Sequence, residues 1–192
     1  MSMQKRQSTR KNRRHSYSYI FGYGSLVNTQ SRLNTIKSAI KAYPIVVDEQ
    51  FGYERDYYYR DRIERGAERV LGIKKNPKKD TIINGALFKV PRDRLKDMDG
   101  RENNYKKIRI PWKHILVYGK FKLDTSVPIY TYQPLPEISK GHRGKISDEY
   151  LDVSIKGFLE YGIPFTRLFF DTTKHLPKGY RSLEEYKESM RN

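Results

Sequence analysis

Two short stretches hold residue types that could do chemistry without a thiol or a metal. The first is YIFGYGSLVN, Tyr19 to Asn28, in which Gly22 and Gly24 bracket Tyr23 and Ser25 follows. Glycine at such positions lets the backbone take an unusual conformation or approach something closely. Amides at a tight turn, just ahead of a helix start at Asn28, favour negative charge and carbonyl oxygens. The second stretch is LKDMDGRENNYKKIRI, which sets a carboxylate, Glu102, just after a helix stop and ahead of a strand. A carboxylate there can be held at a strand mouth beside the glycine turn. Both stretches also have plainer readings. The turn could serve only to pack Tyr23 into the core, and Glu102 could pair with Arg101 or other surface cations.

Familiar motifs do not account for either stretch. The dinucleotide fingerprint needs a third glycine where this chain has Val27, and the hydrolase elbow needs glycine where it has Tyr23. The four histidines, His15, His114, His142 and His175, stand at no metal-ligand spacing. There are no cysteines, which excludes disulfides, thiolate catalysis and zinc–thiolate sites. No metal and no cofactor are expected.

The elements that must position these residues can be read from pattern. Tyr17 to Phe21 is aromatic, β-branched and bounded by glycine, so it reads as a strand. AYPIVVDEQF reads as a second strand. ERVLGIKK and INGALFKV flank the turn-rich NPKKD and read as a pair of strands. PRDRLKDMDG reads as a short helix started by Pro91 and stopped by Gly100. Tyr105 to Phe121 suggests one or two more strands, and SVPIYTYQP another, ended by Pro134. LPEISKGHRGK reads as a polar, mobile loop. ISDEYLDVSIKGFLEYG is the clearest helix, capped by Ser147, with an apolar face at Leu151, Ile155, Phe158 and Leu159 and a stop at Gly162. RSLEEYKESM carries the capping-box pair Ser182 and Glu185. The expected class is α+β with a mainly antiparallel sheet or barrel.

A chain of 192 residues suits one domain with a real core, and no apolar run is long enough to span a membrane. The net charge is +17, and removing the six cations of MSMQKRQSTRKNRRHS leaves +11 for the rest. Residues 1–16 therefore read as a basic, disordered tail and 17–192 as the folded domain. The tail could be a solubilising or targeting arm, or could make non-specific contact with nucleic acid. The first residues lack an apolar segment of the secretory kind, and a cytoplasmic protein with no membrane partner is expected.

Taken together, the two stretches resemble the gamma-glutamylcyclotransferase superfamily, including its ChaC-type and AIG2-like branches. The family's YGS-L loop corresponds to Tyr23, Gly24, Ser25 and Leu26, and its D-x-R-E-x-x-Y context to Asp99, Arg101, Glu102 and Tyr105. PIYTYQP resembles the family's strand with an active-site tyrosine, and ISDEYLDVSIKGFLEYGIP its late helix. The resemblance covers about Tyr19 to Pro164, and the order and spacing of the motifs make it fairly specific. It implies a small β-barrel or strongly curved sheet with helices around it. It also implies an enzyme that cyclises a gamma-glutamyl amide to 5-oxoproline and releases an amine or amino acid.

On that resemblance Glu102 is the acid/base, with a pKa raised by burial, and Tyr23, Gly24, Ser25 and Leu26 hold the gamma-glutamyl group. Tyr130 best matches the strand tyrosine, while Tyr132 lies on the same strand face. Arg55 resembles an arginine of a family strand, or is a surface ion pair. The chain departs from the family in lacking the asparagine of a YGSNL loop, and in having Val27 and Asn28 where an aromatic is usual. Two other classes compete: a basic nucleic-acid-binding module, and a non-enzymatic relative that uses the same pocket for binding.

Overall fold

The computed structural model describes residues 15–39, 41–62, 66–136 and 145–191. The first strand, β1 (Tyr17–Gly22), is buried on both faces from Ser18 onward. It therefore reads as a continuous apolar run rather than an alternating one. A single 3-10 turn, Ser25–Val27, follows, and then α1 (Thr29–Leu33), whose first turn is capped by Asn28 Oδ1 accepting from Ser31 N at 3.0 Å. Next come β2 (Ala42–Val47), β3 (Tyr53–Arg62), β4 (Gly66–Lys75) and β5 (Ile83–Pro91). Helix α2 (Leu95–Arg101) leads into β6 (Tyr105–Ile110), β7 (Ile115–Val117), β8 (Ile129–Pro134) and β9 (Lys145–Ile146). Helices α3 (Asp148–Leu159) and α4 (Ile163–Thr172), strand β10 (Thr173–Lys174) and helix α5 (Leu183–Ser189) complete the described chain.

The strands form two sheets, one ordered β6-β8-β1-β5-β2-β7 and one ordered β10-β3-β4-β9. Most pairings are antiparallel; β1 with β8, β3 with β10 and β4 with β9 are parallel. The expected α+β class holds. Of the two forms expected, the open sheet is the one found, because the larger sheet ends on β6 and β7. Period-two alternation splits its side chains between two cores. Tyr19, Phe21 and Leu87 enter a large core with α3, α4 and α5, whereas Ile20, Phe88 and Val90 enter a smaller one with Leu26, Ile36 and Met98.

Several expectations change in the structure. The two strands around NPKKD exist but are not partners. β4 pairs with β3 from Lys75↔Tyr53 to Gly66↔Arg62, and β5 lies between β1 and β2. The connector therefore crosses from one sheet to the other. Gly100 lies inside α2 rather than after it. Gly162 stands at φ +92 as the residue that starts α4, a helix the pattern did not announce. Glu185 does not complete a reciprocal capping box. Ser182 Oγ accepts from Glu185 N, but the Glu185 carboxylate takes the amides of Gly179 and Arg181. The tail expected to be disordered falls on 1–14 outside the described residues, as does most of the loop expected to be mobile, over 137–144.

Candidate active site

The turn after β1 is shaped by close approach. A Cβ on Gly22 would lie 2.5 Å from Leu26 Cβ, and one on Gly24 would lie 2.9 Å from the Tyr150 hydroxyl and 3.3 Å from Leu71. The glycines let the turn fold on itself and let α3 and β4 press against it. Behind it, a Cβ on Gly85 would strike Gly22 O at 2.2 Å, so β5 also lies tight against the end of β1.

Three guanidinium groups hold this turn. Arg55, fully buried, donates from Nη1 to Tyr23 O at 3.2 Å. Arg32, 1 % exposed, donates from Nη1 to Leu26 O at 3.1 Å and Val27 O at 2.5 Å. Arg101 reaches Ser25 Oγ from Nη2 at 3.4 Å. The peptide bonds are trans, so the N–H of Gly24 points opposite to the Tyr23 carbonyl and away from Arg55. The reading of Arg55 as a surface ion pair fails. Its six hydrogen bonds go to Tyr23, Asn84, Phe169, Thr172 and Thr173, and its guanidinium lies 4.5 Å from the Phe169 ring centroid. Burial lowers its pKa to about 9, which still leaves it charged at neutral pH.

Glu102 stands at the C-terminal end of α2, with its N–H on Met98 O and its carbonyl accepting from Tyr105 N. Its side chain is 15 % exposed and lies 3.1 Å from Arg101 Nε. The pairing with Arg101 is therefore real, and Glu102 lines a cavity as well. Arg101 spreads its other contacts over Ser31 O (2.6 Å), Thr35 Oγ1 (2.8 Å) and Ser31 Oγ (3.0 Å). One guanidinium thus ties the end of α2 to α1 and to the glycine turn.

The cavity has a volume of about 300 Å³, and Tyr23, Gly24, Ser25, Leu26, Arg101 and Glu102 all line it. Leu71, Tyr105, Tyr132 and Tyr150 contribute further wall. The four turn residues and Glu102 are brought together, but Tyr130 is not among the lining residues. Tyr132 takes its place, because β8 runs past the cavity and puts the later of the two same-face tyrosines at its wall. Tyr132 donates from its hydroxyl to Asp99 Oδ1 at 2.7 Å, and Lys107 Nζ in turn holds Asp99. Its carbonyl accepts from the Tyr23 hydroxyl at 2.5 Å. Tyr23 is thus a packed core residue and a cavity wall at once.

Burial raises the pKa of Tyr132, aided by its bond to Asp99 and the charges of Asp99 and Glu102. Burial and the charge of Glu102 do the same at Tyr150. Both phenols are neutral O–H groups at neutral pH. Sequence reasoning missed Arg32, Arg101 and Tyr150 as site residues. Tyr150 did leave a signal, since it shares a helical stripe with Ser154 and Phe158 at four-residue spacing. Among the described residues no group of three or more His, Cys, Asp or Glu is placed to hold a metal.

No protein-family model matches the sequence, and no curated protein matches it. Solved structures do match the fold. A gamma-glutamyl cyclotransferase superposes with a TM-score of 0.60 at 15 % identity, over 92 % of this chain and 99 % of its own. An uncharacterized protein from Homo sapiens gives 0.62 at 16 % identity, over 93 % and 100 %. A yeast gamma-glutamyl cyclotransferase described as specific to glutathione gives 0.57 at 10 % identity, over 84 % and 99 %. The chain has the gamma-glutamyl cyclotransferase fold.

Proposed function

We propose that this chain is a gamma-glutamylcyclotransferase-like enzyme that converts a gamma-glutamyl amide to 5-oxoproline and a free amine. The reading is carried by one juxtaposition: the Glu102 carboxylate and the Tyr23–Leu26 turn line the same cavity. In the reaction the substrate's α-amine attacks its own γ-carbonyl carbon, a C–N bond forms, and the amide C–N bond then breaks. The α-ammonium gives up two protons in becoming a lactam N–H, and the leaving nitrogen gains two in departing as an ammonium. A single carboxylate between the two nitrogens can relay both, with no net proton change.

Ring closure is unimolecular, so the enzyme's remaining work is to hold the substrate folded and to stabilise the tetrahedral oxyanion. The Gly24 and Leu26 N–H groups are the donors assigned to that oxygen, since the Ser25 N–H meets the Tyr150 hydroxyl and the Val27 N–H meets Gly24 O. Arg32, Arg55 and Arg101 keep the turn rigid, so these donors are oriented before the reaction starts. Arg101 adds positive charge at the cavity wall, which favours the substrate's α-carboxylate there. Glu102 is the catalytic residue of this scheme.

The test is release of 5-oxoproline from gamma-glutamyl amino acids, gamma-glutamyl-ε-lysine and glutathione. Glutathione belongs in the panel because one structural neighbour is described as specific to it. Glu102→Gln keeps the shape and removes the titrating group, so kcat on the best substrate should fall by about 10²-fold or more. Turnover close to wild type in that variant would remove Glu102 from the mechanism, and no product from any substrate would remove the reaction.

A further inference from the structure

The sheet edge remote from the cavity carries apolar surface in a basic setting. Strand β7 ends the six-stranded sheet, separated from β1 by β5 and β2. Within it Leu116 is 55 % and Val117 39 % exposed, and the following loop adds Tyr118 and Phe121. Single exposed apolar side chains are ordinary, but a contiguous group is not. This group rests on the core at two points. The Phe121 ring lies 5.3 Å from that of Tyr43, and the Tyr118 ring lies 4.9 Å from that of the buried Phe165.

Cations surround it. Lys113, Lys120 and Lys122 are exposed in the same segment, and Lys41 Nζ stands 5.4 Å from the Tyr43 ring centroid. His15 lies within electrostatic reach of Asp124, three positions after Phe121, and Tyr19 Oη accepts from Asp124 N. Residues 1–14 hold Lys5, Arg6, Arg10, Lys11, Arg13 and Arg14 and no acid.

The geometry points to a peripheral docking face for an anionic lipid bilayer. Phe121, Leu116 and Tyr118 would enter the boundary between headgroups and acyl chains, with the lysines at the headgroups. The basic N-terminal residues supply the second signal that stable anchoring needs. Nucleic acid would use the cations but has no use for exposed Leu116 and Val117. A second copy would bring two chains of +17 together and set lysine against lysine. No helix among the described residues is long and apolar enough to cross a membrane, so the contact is with the surface alone. This departs from the sequence reading, which expected no membrane partner. It does not rest on the proposed reaction, since none of these residues lines the cavity.

Flotation of the full chain with vesicles tests the face. Binding is expected to phosphatidylcholine vesicles that contain phosphatidylserine, not to phosphatidylcholine alone, and to weaken as salt rises. The pair Leu116→Ser and Phe121→Ser should lower the partition by about tenfold or more, from the apolar area withdrawn. The pair Lys120→Glu and Lys122→Glu should lower it by a similar or larger factor, since each cation near an anionic surface is worth roughly fivefold. Phe121→Trp, which keeps the ring, should retain binding and shift its emission to shorter wavelength on the serine-containing vesicles. Absence of binding by the wild type, or binding untouched by the Leu116/Phe121 pair, would overturn the proposal. So would a dimer in sedimentation that this pair dissociates, or an oligonucleotide affinity that fully accounts for the retention. Rates of 5-oxoproline release should be the same in all these variants, so this test and that of the reaction fail separately.

Discussion

Arg55 shows how one side chain can fix the site without entering it. Its six hydrogen bonds join β3 to the glycine turn, β5 and α4, and none of them goes to a carboxylate. Truncation to alanine would take this donor from the carbonyls of Tyr23 and Asn84 in the interior, while the Phe169 carbonyl keeps the Thr173 hydroxyl. At about 1–3 kcal/mol for each orphaned group, urea unfolding of Arg55→Ala should show a loss of about 2 kcal/mol or more. Arg55→Lys should recover only part of it, because an ammonium has fewer donors and lacks the planar fork. A loss under about 1 kcal/mol in Arg55→Ala would mean that water or side-chain rearrangement satisfies those carbonyls.

At the scale of elements, two glycines inside helices behave oppositely. Gly157 lies in α3 where a Cβ would meet Asn28 N at 2.4 Å and Val27 C at 2.8 Å, all backbone. Gly157→Ala must push α3, and Tyr150 with it, off the glycine turn. Overpacking of this kind costs about 1–3 kcal/mol, and 5-oxoproline release should fall along with stability. Gly100 is exposed in α2 and meets nothing within 4 Å. Gly100→Ala should therefore stabilise by about 0.5–1 kcal/mol through helix propensity alone. Thermal melts of the two variants should move in opposite directions. The sequence placed Gly100 as a stop and Gly157 as an ordinary helix residue, because a one-dimensional pattern cannot show which glycine faces a neighbour's backbone.

For the whole molecule, tyrosine burial predicts the response to alkali. Burial raises the pKa of eight tyrosines, namely Tyr19, Tyr53, Tyr57, Tyr132, Tyr150, Tyr161, Tyr180 and Tyr186. A group whose folded pKa is raised stabilises fully below its unfolded value, and that contribution is lost as pH rises above it. The tyrosine contribution is therefore constant below a pH of about 10 and falls above it. Arg55 acts with the opposite sign. Its pKa of about 9 lies below the ordinary arginine value, so the cost of burying its charge is relieved as pH rises above about 9. Among the described residues Lys74, whose desolvation is outweighed by Asp56 and Glu54 so that its pKa is raised, acts with the eight tyrosines, so nine groups against one should give net destabilisation above pH 10, visible in urea titrations between pH 9 and 11.5. A midpoint that rises steadily over that range would contradict the tyrosine burial described here.

The sequence by itself determined the chemistry on offer and most of the local structure. Gly22, Gly24 and Ser25 marked a turn, Glu102 a carboxylate after a helix, and Asn28 and Ser147 two caps that form as read, with Ser182 forming its half of a third. These are short-range matters, set by backbone conformation and by hydrogen bonds between residues a few positions apart. The strand at Tyr17 to Phe21 was equally plain, because an apolar, β-branched run reports burial directly. Only the tertiary structure decided the partners. It separated β4 from β5, put Tyr132 rather than Tyr130 at the cavity wall, decided between a strand arginine and a surface ion pair by burying Arg55, and set Arg101 between the turn and Glu102. The physical reason is common to all four. Sheet register and side-chain burial depend on contacts between segments distant in the chain, and the type of a residue does not say which distant backbone it will meet.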